Sequence, residues 1–185
     1  MKPIFTIHAG EYLVGSHIEK TYKEARVWLP SNDTGVDLLV TNQKLTRATS
    51  LQVKFSKDFL GNKGGKNTSI ETRIKAGGWW TFNYDKIQTS PADLWVLVLY
   101  RFSHRDFDFV IVEPSQLLDR YKKIGHTSAI IQSYVWVTES GKCWETRGLG
   151  KAEQESIAIE TFKDPVRDLS DFLNNWQPLK ERIGI

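Results

Sequence analysis

Residues 92–102, ADLWVLVLYRF, most limit what this chain can become, because every side chain from Leu94 to Tyr100 is apolar or aromatic. A strand of that composition hides both faces, so it needs a packed layer on each side of its sheet. A second run, DFDFVIVEP at 106–114, follows at once and reads as a neighbouring buried strand.

The segments around these runs supply the rest. In IHAGEYLVGSHIEKTYKEA (7–25), Ile7, Val14, Ile18, Tyr22 and Ala25 recur at threes and fours, the spacing of one helix face. RVWLP, GVDLLVTN and LTRATSLQVKFS are β-branched or aromatic and separated by turn residues, which predicts three sequential, mostly antiparallel strands. SKDFLGNKGGKNTS (56–69) has neither period and reads as a loop, and GWWTFNYDKI (78–87) as a short helix. EPSQLLDRYKKI starts a helix at Pro114 or Ser115, AIIQSYVWVTES with KCWETRG forms a hairpin turning near Ser140 and Gly141, and VRDLSDFLNNWQPLKERI is an amphipathic helical tail. The order αβββαβ, with later strand and helix additions, predicts an α/β or α+β fold: a central mixed β-sheet flanked by helices. No linker or repeat divides the 185 residues, so one domain is expected, with a core over about 5–125 and an extension over about 126–185.

Composition removes several classes of function. Cys143 is the only cysteine, which excludes an internal disulfide and a thiolate-rich zinc site. His8, His17, His104 and His126 make no HxH, HxxxH or HExxH spacing, so a metal here must be held mainly by oxygen. No apolar run approaches the roughly 20 residues of a membrane helix, and the N-terminus does not read as a secretory signal, so a cytoplasmic protein is expected. LGNKGGK lacks the GxxxxGK[ST] spacing of a P-loop, and no nucleotide cofactor is expected.

Two acids break apolar patterns. Glu11 lies four residues after Ile7 and three before Val14, on the apolar stripe of the first helix. A carboxylate aimed at a sheet costs several kcal/mol unless something compensates it, whether a structural salt bridge or a functional site. Gly10 and Gly15 beside it let the helix approach a strand or ligand closely. Asp37 interrupts Val36, Leu38, Leu39 and Val40 near a strand start, where it is either an edge acid facing water or a functional group. In TSLQVKFSKDF, Leu51, Val53 and Phe55 share one face, while Gln52 and Lys54 share the other. That alternation by itself also fits any half-solvated strand. If the strands of Asp37 and Gln52 pair and the helix covers the sheet, Glu11, Asp37, Gln52 and Lys54 converge. Two carboxylates with an amide or backbone oxygen make a hard site suited to Mg²⁺, and the ammonium adds positive charge beside a phosphate.

These residues resemble the PD-(D/E)xK superfamily of nucleases, which includes restriction, junction-resolving and homing endonucleases. The resemblance covers about the first 60 residues by motif and, more loosely, the order of elements up to DLWVLVLYRF and FVIVEPSQLL. It implies that Glu11, Asp37, Gln52 and the Val53 carbonyl hold Mg²⁺, with Mn²⁺ a possible substitute, and that Lys54 orients or activates the attacking water. It implies cleavage of DNA to 5′-phosphate and 3′-hydroxyl ends by a homodimer. Two positions depart from the pattern: Val36 stands where the family carries Pro, and Gln52 where it commonly carries an acid. A catalytically inactive DNA-binding or assembly module with the same fold is the alternative.

The net charge of +3 and pI near 8.9 are mildly basic. Lys57, Lys63, Lys66, Arg73 and Lys75 follow Lys54 closely and would track a DNA backbone, or form a solvated charge run. Trp79 and Trp80 would stack on bases, or belong to the core of a buried element.

Overall fold

The computed structural model describes residues 9–31, 34–57, 73–101 and 105–185. Helix α1 (Ala9–Thr21) leads into β1 (Ala25–Trp28), β2 (Leu38–Asn42) and β3 (Ala48–Lys57). Then come β4 (Ile74–Asn83), the short α2 (Tyr84–Gln88), β5 (Leu94–Arg101), β6 (Asp106–Val112) and α3 (Pro114–Lys123). The chain finishes with β7 (Ile130–Thr138), β8 (Cys143–Glu145), α4 (Lys151–Ala158), a 3₁₀ turn (Ser170–Phe172) and α5 (Gln177–Ile183). The larger sheet runs β1-β2-β3-β5-β6, and only β3 with β5 is parallel; the smaller sheet runs β4-β7-β8 and is antiparallel. This is the mixed α/β architecture with a helix-flanked central sheet that the apolar run at 94–100 demands.

Both faces of β5 are covered. On one side Val96 and Val98 pack with Leu51 and Val53 of β3, Val14 and Ile18 of α1, and Trp176, Leu179 and Ile183 from α5 and the residue before it. On the other, Trp95, Leu97 and Leu99 meet Trp80 and Phe82 of β4, Val135 and Val137 of β7, and Leu117 and Tyr121 of α3. A smaller cluster of Ile74, Trp144, Ile157 and Ala158 seats α4 on the outer face of the small sheet.

Three expectations change. GWWTFN is strand, and only YDKIQ is helical. Trp80 and Phe82 point inward while Trp79 and Thr81 point out, a period of two stabilised by pairing with β7 along the whole of β4. The tail is helical only at α5 and the preceding 3₁₀ turn, because Leu173, Asn174 and Asn175 run beside β6 instead. Helix α4 carries no strong apolar period and forms where the Glu153 carboxylate accepts the Gly150 amide at 2.8 Å. No helix among the described residues is long and apolar enough to cross a membrane.

Candidate active site

Three stretches of chain meet at one cavity of about 910 Å³, lined by Glu11 of α1, Asp37 ahead of β2, and Gln52, Val53 and Lys54 of β3. Trp80, Thr81 and Asn83 of β4 and Trp95 of β5 complete much of the wall. The helix reaches this position through Gly10, where a Cβ would stand 2.8 Å from Phe55 Cβ and 3.1 Å from Val53 Cγ1. No other residue permits so close a crossing of α1 over β3, and Glu11 is carried to the cavity by it.

Asp37 sits one step beyond the paired residues Leu38 and Leu51, and is therefore opposite Gln52. Its amide donates to the Leu51 carbonyl at 2.8 Å, and its Oδ2 accepts the Val53 amide at 2.7 Å. The side chain thus takes over the ladder bond that β2 no longer supplies. The N–H and C=O of one strand residue point to the same edge, so the Val53 carbonyl also faces the Asp37 side. No donor among the described residues reaches Asp37 Oδ1.

Lys54 is placed by two tryptophans. The Trp80 indole N–H donates to the Lys54 carbonyl at 3.0 Å, and the Lys54 Nζ lies 5.3 Å from the centroid of the Trp95 ring. Ring and ammonium attract through the ring quadrupole. Trp95 is itself held by donation to Ser90 Oγ at 2.9 Å. The register that sets Gln52 beside Trp95 is pinned at the start of the pairing, where Asp93 Oδ2 accepts the amide and the hydroxyl of Ser50, each at 2.8 Å. Burial works to raise the Asp93 carboxyl, but those two bonds, the Thr49 hydroxyl and the Arg182 guanidinium outweigh it and hold the carboxyl below its usual range.

The basic residues are distributed differently. Arg73 is exposed at the approach to β4, whereas Lys75 reaches both carboxylate oxygens of the buried Asp108, at 2.9 and 2.8 Å. Much of the Lys75 charge is thereby engaged in joining the two sheets. Lys63 and Lys66 lie outside the described residues, as does the side chain of Lys57. The adjacent tryptophans separate, Trp80 into the core and Trp79 to the surface at 36% exposure.

Gly10, Trp80 and Trp95 are contributors to the site that motif spacing alone does not reveal. Trp95 is hidden inside an apolar run whose register with β3 is fixed only on folding. The oxygens of Glu11, Asp37, Gln52 and Val53 form a donor set without sulfur or imidazole, and among the described residues no three of Asp, Glu, His and Cys gather in one place. No protein-family model, no curated protein and no solved structure matches the chain.

Proposed function

We propose that the protein is a Mg²⁺-dependent DNA endonuclease of the PD-(D/E)xK type, working inside the cell as a homodimer and leaving 5′-phosphate ends. The observation that carries the reading is the meeting of Glu11, Asp37, Gln52, Val53 and Lys54, residues of three separate stretches, on a single cavity. Hard oxygen donors of this kind fit Mg²⁺, or Mn²⁺ in its place. When bound, the ion supplies neutralisation of phosphate charge and a more acidic water. The chain's own groups divide the remaining work. Asp37 offers Oδ1 while Oδ2 fixes its carboxylate to β3, and Glu11 approaches from the helix side. Lys54 holds a positive charge against the cavity wall, where it orients the attacking water and offsets charge that develops on the phosphate oxygens.

Supercoiled plasmid with Mg²⁺ tests this. Wild-type protein is expected to nick and linearise it, and Asp37→Ala and Lys54→Ala are each expected to lower the rate by about a hundredfold or more. Undiminished cleavage by either variant would sink the assignment. Cutting both strands needs two sites facing one duplex, so sedimentation of the protein with its DNA should show two copies of the chain.

A further inference from the structure

The outer face of the small sheet carries chemistry that the cleavage site does not use. Across β4 and β7, Gly77 pairs with Trp136, Trp79 with Tyr134 and Thr81 with Gln132. The Trp136 end is covered, since Trp136 packs with Trp144, Ile157 and Phe162 under α4. The next pair lies at the surface: the Trp79 and Tyr134 rings stack at 6.0 Å and 13°. Arg147, which follows β8, places its guanidinium carbon 5.2 Å from the Tyr134 ring centroid. Since β7 lies between β4 and β8, the three side chains form a row, Trp79, Tyr134, Arg147, across the sheet. Further along the face from Trp79, Thr81 and Asn83 line the cleavage cavity.

We infer that this row is a platform for unpaired DNA bases, and that the substrate is a duplex with a single-stranded extension beside the scissile phosphate. Every base has a π face that stacks on aromatic rings, and a nearby guanidinium adds charge for the backbone. Fully paired DNA keeps those faces inside its own stack and offers only edges and phosphates. A cross-strand aromatic pair also stabilises a sheet, which accounts for Trp79 on Tyr134. It does not account for an exposed arginine over the same ring with no acidic partner among the described residues, on a face that continues to the cavity rim. The inference rests on the nuclease reading only for where the phosphate is cut.

Binding of the full-length protein to three labelled DNA probes in EDTA tests it: a blunt duplex, the same duplex with a single-stranded extension, and the single strand alone. Wild type is expected to favour the latter two. Trp79→Leu and Arg147→Gln should each weaken those two by about tenfold and leave the blunt duplex unchanged, with Trp79→Tyr restoring binding. Variants that bind all three probes as wild type does, or lose all three equally, would overturn the platform. So would preferential binding of single-stranded RNA of the same sequence. Cleavage with Mg²⁺ is read separately on the same probes. Selective, Trp79-dependent binding with no cutting supports the platform and removes the nuclease reading.

Discussion

Gln52 stands on the cavity wall between Asp37 and Lys54, and it brings an oxygen without a charge. Replacing it by a carboxylate raises the negative charge facing the metal, which strengthens binding of a hard divalent cation. Gln52→Glu is therefore expected to reach half-maximal cleavage at a lower Mg²⁺ concentration, and Gln52→Leu at a higher one; a metal titration of plasmid cleavage reads both. Asp37 has two roles, and a pair of variants separates them. Asp37→Asn keeps an acceptor for the Val53 amide and should unfold at nearly the wild-type denaturant concentration while losing cleavage. Asp37→Ala orphans that amide and should also lose about 1–3 kcal/mol of stability. A different residue governs the pH dependence. Glu145 is buried and accepts from the Ser133 hydroxyl and from the amides of Tyr134 at 3.2 Å and Arg147 at 2.9 Å. Burial raises its carboxyl from 4.5 to about 7 in spite of those bonds. Between these values the folded state keeps a proton that the unfolded chain has released, so stability falls as pH rises through this window. Asp93, held below 3.8, contributes in the opposite sense and only at lower pH, where its stabilisation is lost on acidification. Urea midpoints measured from pH 4.5 to about 7 should decline in wild type and stay flatter in Glu145→Gln.

At the scale of elements, the site depends on the crossing of α1 over β3. Gly10→Ala puts a methyl 2.8 Å from Phe55 Cβ, which belongs to the strand itself and cannot swing away as the end of a long side chain would. The helix must lift, so cleavage should fall with Glu11 displaced and the melting temperature should drop; a variant cutting and melting like wild type would remove Gly10 from the site. Gly78 plays a related part, because a Cβ there would meet the Trp80 ring at 2.3 Å, and that ring holds the Lys54 carbonyl. These two glycines mark the limit of what the sequence discloses. Gln52 and Lys54 were legible because strand alternation exposes them, and Glu11 because it interrupts a helical stripe. Asp37 was legible as an acid in an apolar strand entrance. Trp80 was not, because two adjacent tryptophans after two glycines blur the alternation, and the partner strand that imposes it, β7, lies far along the chain. The same holds for Trp95, whose place beside Gln52 is fixed by a parallel pairing that no local pattern encodes.

For the whole molecule, residues 126–185 are built into the layers that hold the site. β7 pairs with β4 along its length, and Trp176, Leu179 and Ile183 complete the same core as Val14, Leu51 and Val53. Between them Asn174 binds the edge strand β6, its Oδ1 accepting the Phe109 amide at 2.8 Å and its own amide donating to the Phe109 carbonyl at 2.6 Å. That clasp covers an edge that would otherwise be free to pair with another chain. Ending the chain after Leu173 removes the clasp and three side chains that are 5% exposed or less, each of which contributes about 1.5–3 kcal/mol by burial. Their sum is comparable to the whole net stability of a domain, about 5–15 kcal/mol. The shortened protein should therefore lose its cooperative unfolding transition and aggregate through β6, with cleavage lost although no cavity residue has been touched. Circular dichroism melting and light scattering read both effects. Supplying residues 174–185 as a separate peptide should restore part of the transition in proportion to peptide concentration, because the peptide binds only the folded form. A truncated protein that melts cooperatively at the wild-type temperature would show that the C-terminal segment lies outside the folding unit.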